Sequence, residues 1–305
     1  MKPFLTKILL FSGLLLLFFG VIEFLLRSIP NDYSYKASYY KEKANRIKIW
    51  NLGSSHAYFG IDPTYLGENS FNGAHVSQSI KFDYYIFDKY IDTMDSLEVL
   101  ILPISYFTLF SNLETGIEKW RVVNYSAYNI YLPDLRSSLH VLSNRKPINK
   151  AIKSFLGIQN ERYCTDLGFG TQYTYEKREL NLVTSAEGAV QRHTIKDINY
   201  DILNENKFFL EEICNKCNER NIKVVILTTP THHSYYSQLN KNQLESTTNI
   251  CVRLCNIYSN VSYLNWLTDD RFIDEDFFDS DHLNDKGAQK LTTLLNKEIS
   301  QILKE

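Results

Sequence analysis

The sequence predicts an α/β fold, a parallel sheet covered by helices and preceded by one transmembrane helix. Three observations predict it. Continuous apolar runs such as LEVLILPI (97–104) and IKVVILTTP (222–230) read as strands buried on both faces. They alternate with stretches carrying apolar residues at three- and four-residue spacing, the pattern of helices laid on a parallel sheet. One long uncharged apolar run stands apart from both, at the N-terminus.

That run comes first. Residues 8–22, ILLFSGLLLLFFGVI, carry no charge. From Phe4 to Leu26 is 23 residues, about 34 Å of helix and enough to cross a bilayer with some tilt. Lys2 and Lys7 lie on its N-terminal side, which favours a single-pass anchor with the body extracytoplasmic. A cleaved signal peptide is the competing reading, but the following RSIPNDYSYK has no A-x-A-like site. Residues 1–27 are therefore read as the anchor, with Glu23 near its outer end. Residues 28–45 are polar, scattered with Tyr and without a period, and read as a juxtamembrane linker.

The body spans 46–305. Its strands are RIKIWNLG, a weak SFNG, the two runs above and VSYLNW (261–266). Helical spacing recurs over 79–94, 203–220 and 285–303. Residues 107–200, rich in Tyr, Asn and Ser, break the rhythm and read as an insertion over the strand ends, part helix and part loop. Such an insertion either shapes a substrate site or is a decorative cap.

Composition removes several function classes. Lys+Arg is 33 against Asp+Glu 35, a net charge of −2, which argues against nucleic acid as a partner. A content of 44% hydrophobic and 14% aromatic residues excludes an acidic disordered chain. Five cysteines are too few for a disulfide-built scaffold.

Chemistry gathers at two places. The first strand runs into NLGSSHAYFGIDP, with Gly53, Ser54, Ser55 and His56. The last strand is followed by FFDSDHLNDKGAQKLT, with Asp279, Asp281 and His282. A Ser after a strand and a Gly, opening a helix, is exposed at the sheet edge beside free backbone N–H groups that suit an oxyanion. A His can take its proton, and a carboxylate three residues earlier can orient the ring. Each half alone reads as an ordinary helix cap and a solvated loop; it is their joint occurrence at the first and last strands that carries weight. Parallel strands bring ends 227 residues apart together.

On these residues the chain resembles the SGNH (GDSL-like) hydrolases. Gly53-Ser54-Ser55 is similar to the family's first block and Asp279-Ser280-Asp281-His282 to its last, with the trailing HLN..GA..L phrase also matching. The resemblance spans 46–305 and implies a three-layer flavodoxin-like fold. It implies Ser55 as nucleophile, His282 as base and Asp279 as orienting acid, and no cofactor. The middle blocks depart. FNGAHVSQS offers Gly73 or Ser77 for the second block, with Ser77 favoured, and Ser105 stands where the third block has Asn. The expected oxyanion donors are therefore Ser55, Ser77 and Ser105.

Among anchored relatives the pattern resembles the D-alanyl transfer protein and the alginate-type O-acetyltransferase accessory proteins. Both imply acyl transfer at a surface glycan beside a multi-spanning membrane acyltransferase. Two functions follow as expectations: an acyl esterase or O-acyltransferase acting on an acylated polysaccharide, or a non-catalytic scaffold of the same fold.

Other constellations say less. In TTPTHHSYY, His232 and His233 follow the fourth strand and read as substrate contacts or plain loop residues. Joining them with His56 and His282 gives no metal-ligand spacing, so no metal is expected. Cys214 with Cys217, and Cys251 with Cys255, share helix faces and read as core, with a disulfide between the helices left open.

Overall fold

A computed structural model describes residues 2–142, 149, 152–154, 156–157 and 162–304. Five strands form one parallel sheet: β1 Ile49–Asn51, β2 Ser70–Asn72, β3 Val99–Pro103, β4 Lys223–Thr228 and β5 Val261–Asn265. Their order is β2-β1-β3-β4-β5, the flavodoxin-like arrangement. Asn51 of β1 registers with Asn72 of β2 and with Ile101 of β3. Every residue of β3 is buried, as its continuous apolar run requires.

Among the described residues the α-helices are α1 Lys2–Arg27, α2 Asp32–Lys43, α3 Ser55–Gly60, α4 Ile80–Tyr90, α5 Val122–Ala127 and α6 Leu135–Ser138. They continue with α7 Leu182–His193, α8 Tyr200–Glu219, α9 His233–Tyr236, α10 Lys241–Ile257 and α11 Asp285–Ile302. The amphipathic stretches fold as expected: α4 packs on α8, and α11 packs on α3. Cys214 and Cys217 of α8 and Cys251 of α10 are buried, and all five cysteines are free thiols.

The chain divides into two compact units. One holds Met1–Ala37 with Ile117–Arg162; the other holds Ser38–Gly116 with Tyr163–Glu305 and the whole sheet. The segment 107–200 is thus shared between them and, among its described residues, carries no strand. Residues 28–45, expected as a linker, contain α2. Its buried positions Tyr33, Lys36 and Tyr40, continued by Ala44, recur at helical spacing. A lysine in that stripe hid its period. Tyr39 stacks on Phe71 at 3.8 Å, and the Tyr40 hydroxyl accepts from Trp50 Nε1 at 3.0 Å.

Asn72 ties the sheet to α3. Its Nδ2 donates to the carbonyls of Ala57 (2.9 Å) and Ile61 (2.8 Å), and its Oδ1 accepts from Ala74 N. The Ile61 carbonyl lies just past the C-terminus of a six-residue helix, where no helical donor remains, while Ala57 O also accepts from Ile61 N–H at 3.1 Å. Asn72→Ala should leave the Ile61 carbonyl unpaired in the interior and destabilise the protein by about 1–3 kcal/mol. Denaturant unfolding of the two proteins measures this directly.

Candidate active site

β1 ends at Asn51, and the chain turns at Gly53 with φ of +119°. That left-handed backbone suits glycine, and a Cβ there would press on Ala57 Cβ and Pro103 Cδ at 3.2 and 3.3 Å. The turn is held by a residue that sequence reasoning missed: Asp83, buried on α4, accepts from Gly53 N–H at 2.7 Å and from Gln78 Nε2 at 2.6 Å. Ser55 then opens α3, where its backbone N–H has no acceptor within the helix.

The partner loop is equally defined. Phe277 and Leu283 form an antiparallel bridge, and Phe278 N–H donates to His282 O at 2.9 Å, closing a tight loop over 277–283. Asn284 caps α11 through Lys286 and Gly287 N–H, while its Nδ2 donates to the Glu275 and Phe277 carbonyls. A Cβ at Gly287 would overlap the Asp276 carbonyl. The HLN..G phrase therefore shapes the His282 loop against its helix.

The structure brings Ser55, His282 and Asp279 together. Ser55 Oγ lies 2.8 Å from His282 Nε2, and His282 Nδ1 lies 3.0 Å from Asp279 Oδ1. The same Oδ1 accepts from His282 N–H at 2.8 Å and Asp281 N–H at 3.1 Å. The three-residue spacing lets one carboxylate brace both the loop backbone and the ring. Burial alone disfavours the His282 imidazolium. The Asp279 and Asp281 charges and the Asp279 hydrogen bond together outweigh burial and hold its pKa at about 9.

Asp281, next to His282, points into the interior. It is 2% exposed. Its Oδ2 lies 3.3 Å from His56 Nε2, 3.5 Å from His282 Nδ1 and 3.8 Å from His193 Nδ1. Burial opposes its charge, yet the surrounding imidazoles, His282 foremost, hold its carboxyl well below the usual range. Burial pushes His56 down and His193 down to about 3, so both are neutral. His56 and His193 carried no sequence signal beyond adjacency to Ser55 in the first case.

This network corrects the role expected of Ser105. Its Oγ lies 2.6 Å from His56 Nδ1. A neutral His56 places its one proton on Nε2, facing the Asp281 carboxylate, because the other tautomer would oppose two lone pairs. Nδ1 then accepts the Ser105 proton, which is no longer free for an oxyanion. Gly73 is excluded too, since its N–H donates to Asn51 O at 2.8 Å. Ser77 adopts φ of +62° in a loop tied to Gly53 O through His75 N–H. It is not among the residues lining the cleft at Ser55.

That cleft is bounded by His56, Phe59, Gly60, Thr229, Pro230, Asp281, His282 and Leu283. Phe59, Tyr173 and Phe278 form a continuous stack at 3.7 and 3.9 Å beside His282. Tyr173 comes from the segment read as an insertion. The segment after β4 contributes Thr229 and Pro230 to this cleft, not His232 and His233. Those two line a separate cavity of about 260 Å³ with Asp274, and His232 Nε2 lies 3.1 Å from Asp274 Oδ1. The four histidines weighed as one metal set fall into two clusters, His56 and His282 with Asp281, and His232 and His233 with Asp274.

The chain matches no protein-family model and no curated protein. Among solved structures it is similar to a Streptococcus pneumoniae protein named for platelet activating factor, at 12% identity and TM-score 0.43, covering 96% of this chain and 98% of that one. It is also similar to a Bacteroides fragilis protein named as an acylhydrolase, at 9% identity and TM-score 0.43, covering 87% and 95%. A GDSL-like lipase from Bacteroides thetaiotaomicron follows, at 8% identity and TM-score 0.39, covering 90% and 98%.

His282 held at about 9 sets a pH dependence. Its neutral form, the one able to accept a proton, appears only as pH rises toward that value. Labelling of Ser55 by a fluorophosphonate should therefore accelerate from pH 6 to 9, by up to about tenfold per pH unit, as one proton is lost. Asp279→Asn and Asp281→Asn should each move the midpoint down, because each removes a charge that favours the imidazolium. A rate independent of pH over this range would contradict the assignment of His282 as base.

Proposed function

We propose that this chain is an SGNH-type serine acyl esterase or O-acyltransferase, anchored in a membrane by α1 and acting on acylated cell-surface polysaccharide. The single observation that carries the reading is the hydrogen-bonded chain Ser55–His282–Asp279. In the reaction, His282 Nε2 takes the Ser55 proton as Oγ attacks the acyl carbonyl. The imidazolium then returns that proton to the leaving alcohol, and an acyl-Ser55 remains. Water or a sugar hydroxyl attacks it next, His282 again moving the proton. Asp279 holds the ring and stabilises the imidazolium.

The oxyanion donor that the cleft itself offers is Ser55 N–H; Ser77, expected as a second donor, does not line it. With the Ser105 proton directed to His56, the hole rests on the Ser55 N–H, and loss of one donor in such a hole costs roughly 100–1,000-fold in rate. The tight cleft, walled by Phe59, Pro230 and Leu283, favours a short acyl group. The anchor is supported by the length and apolarity of α1, and by the absence of burial along its apolar window. A multi-spanning membrane acyltransferase is the partner that the resemblance to the D-alanyl transfer and alginate-type accessory proteins suggests. The second reading, a non-catalytic scaffold, is favoured by the engagement of Ser105 in place of the family's Asn.

Hydrolysis of a short-chain ester such as p-nitrophenyl acetate tests the proposal. The parent chain should turn over and form an acyl-Ser55 adduct visible by intact mass, and Ser55→Ala should abolish both. Activity retained in Ser55→Ala but lost in Ser54→Ala would displace the nucleophile by one residue. No turnover and no labelling in the parent would favour the scaffold.

A further inference from the structure

We propose that residues 117–142 form a second membrane contact, with Leu132, Leu135 and Leu142 entering the outer leaflet beside α1. The proposal rests on reading α1 as an uncleaved anchor. Most of α1 is bare, but Glu23 near its end is not: it is 8% exposed. Glu23 Oε1 accepts from Arg27 Nε at 2.7 Å and faces His140 Nδ1 at 3.2 Å, and Oε2 accepts from Val141 N–H at 3.1 Å. Arg27 Nη2 donates to Ser138 O at 2.9 Å. Three side chains and two backbone groups thus strap residues 138–141 to the level of Glu23–Arg27.

That level is set by the span. A hydrocarbon core of about 30 Å takes about 20 helical residues. Counted from Phe4, it ends beside Glu23. The strap therefore sits at the headgroup boundary, and the chain on either side of it lies within reach of the acyl chains. There Leu132, Leu135 and Leu142 are 79%, 72% and 46% exposed, and Ile117 is 85% exposed. So many large apolar groups on one short stretch need a cover. The polar groups between them suit an interface. Asp134 turns its carboxylate onto Arg136 N–H, Ser137 N–H and the Ser137 hydroxyl, capping α6 and meeting its own demand. Lys119 and Arg136 are exposed cations on the same segment, able to meet lipid phosphates. Lipid is the occupant because the strap, through continuity with α1, fixes the depth at which these leucines lie.

The test uses the full chain in nanodiscs of phosphatidylcholine and phosphatidylglycerol, with p-benzoylphenylalanine placed singly at positions 132, 135 and 142. Leu15, inside α1, and Leu180, 87% exposed, serve as controls. After irradiation, mass spectrometry should find lipid adducts at 132, 135, 142 and 15, and none at 180. Adducts at 15 but not at the three leucines would overturn the inference and leave the anchor standing. Crosslinks from the three to a second copy of the chain would overturn it in favour of a protein contact. No lipid adduct at 15 would remove the anchor reading and this inference with it.

Discussion

A single buried carboxylate organises the centre of this protein. Asp281 could not remain charged in the interior without partners, and three imidazoles supply them. Its charge favours the imidazolium of His282. It also selects the His56 tautomer, which in turn draws the Ser105 proton away from the cleft. A negative charge this well enclosed is an electrostatic support for the proton transfer proposed between Ser55 and His282. It acts alongside Asp279, which faces the same ring nitrogen at shorter range.

The two carboxylates divide their work by geometry. Asp279 reaches the His282 ring and its backbone N–H together, so it fixes where the ring points. Asp281 sits deeper, shared among rings from three parts of the chain, so it links the His282 loop to α3 and α7. The glycine turn at Gly53, held from α4 by Asp83, delivers Ser55 to the same point from the opposite side. Parallel strands make this meeting economical, because every connection leaves the sheet at one edge.

Much of the fold and part of the site were legible in the residues. β3 and β4 declared themselves because burial on both faces demands unbroken apolar runs. Helix α2 stayed hidden because its inward stripe contains Lys36 and tyrosines, which a hydropathy pattern reads as solvated. The division of 107–200 between two units was also illegible. Glu23 and His140 meet by long-range pairing, and no local period encodes that.

By itself the sequence determined the alternating architecture, the apolar N-terminal helix and the identity of Ser55, Asp279 and His282 as candidates. These are local properties: strand hydropathy, helix spacing, and a three-residue reach within one loop. The tertiary structure alone decided the surroundings of that site. It turned Asp281 inward, gave Ser105 to His56, brought His193 and Tyr173 to its rim and sent His232 and His233 to a different cavity. The physical reason is that hydrogen-bond partners and burial are relations between distant segments. A residue type limits which relations it can enter, but only the packed chain settles which of them form.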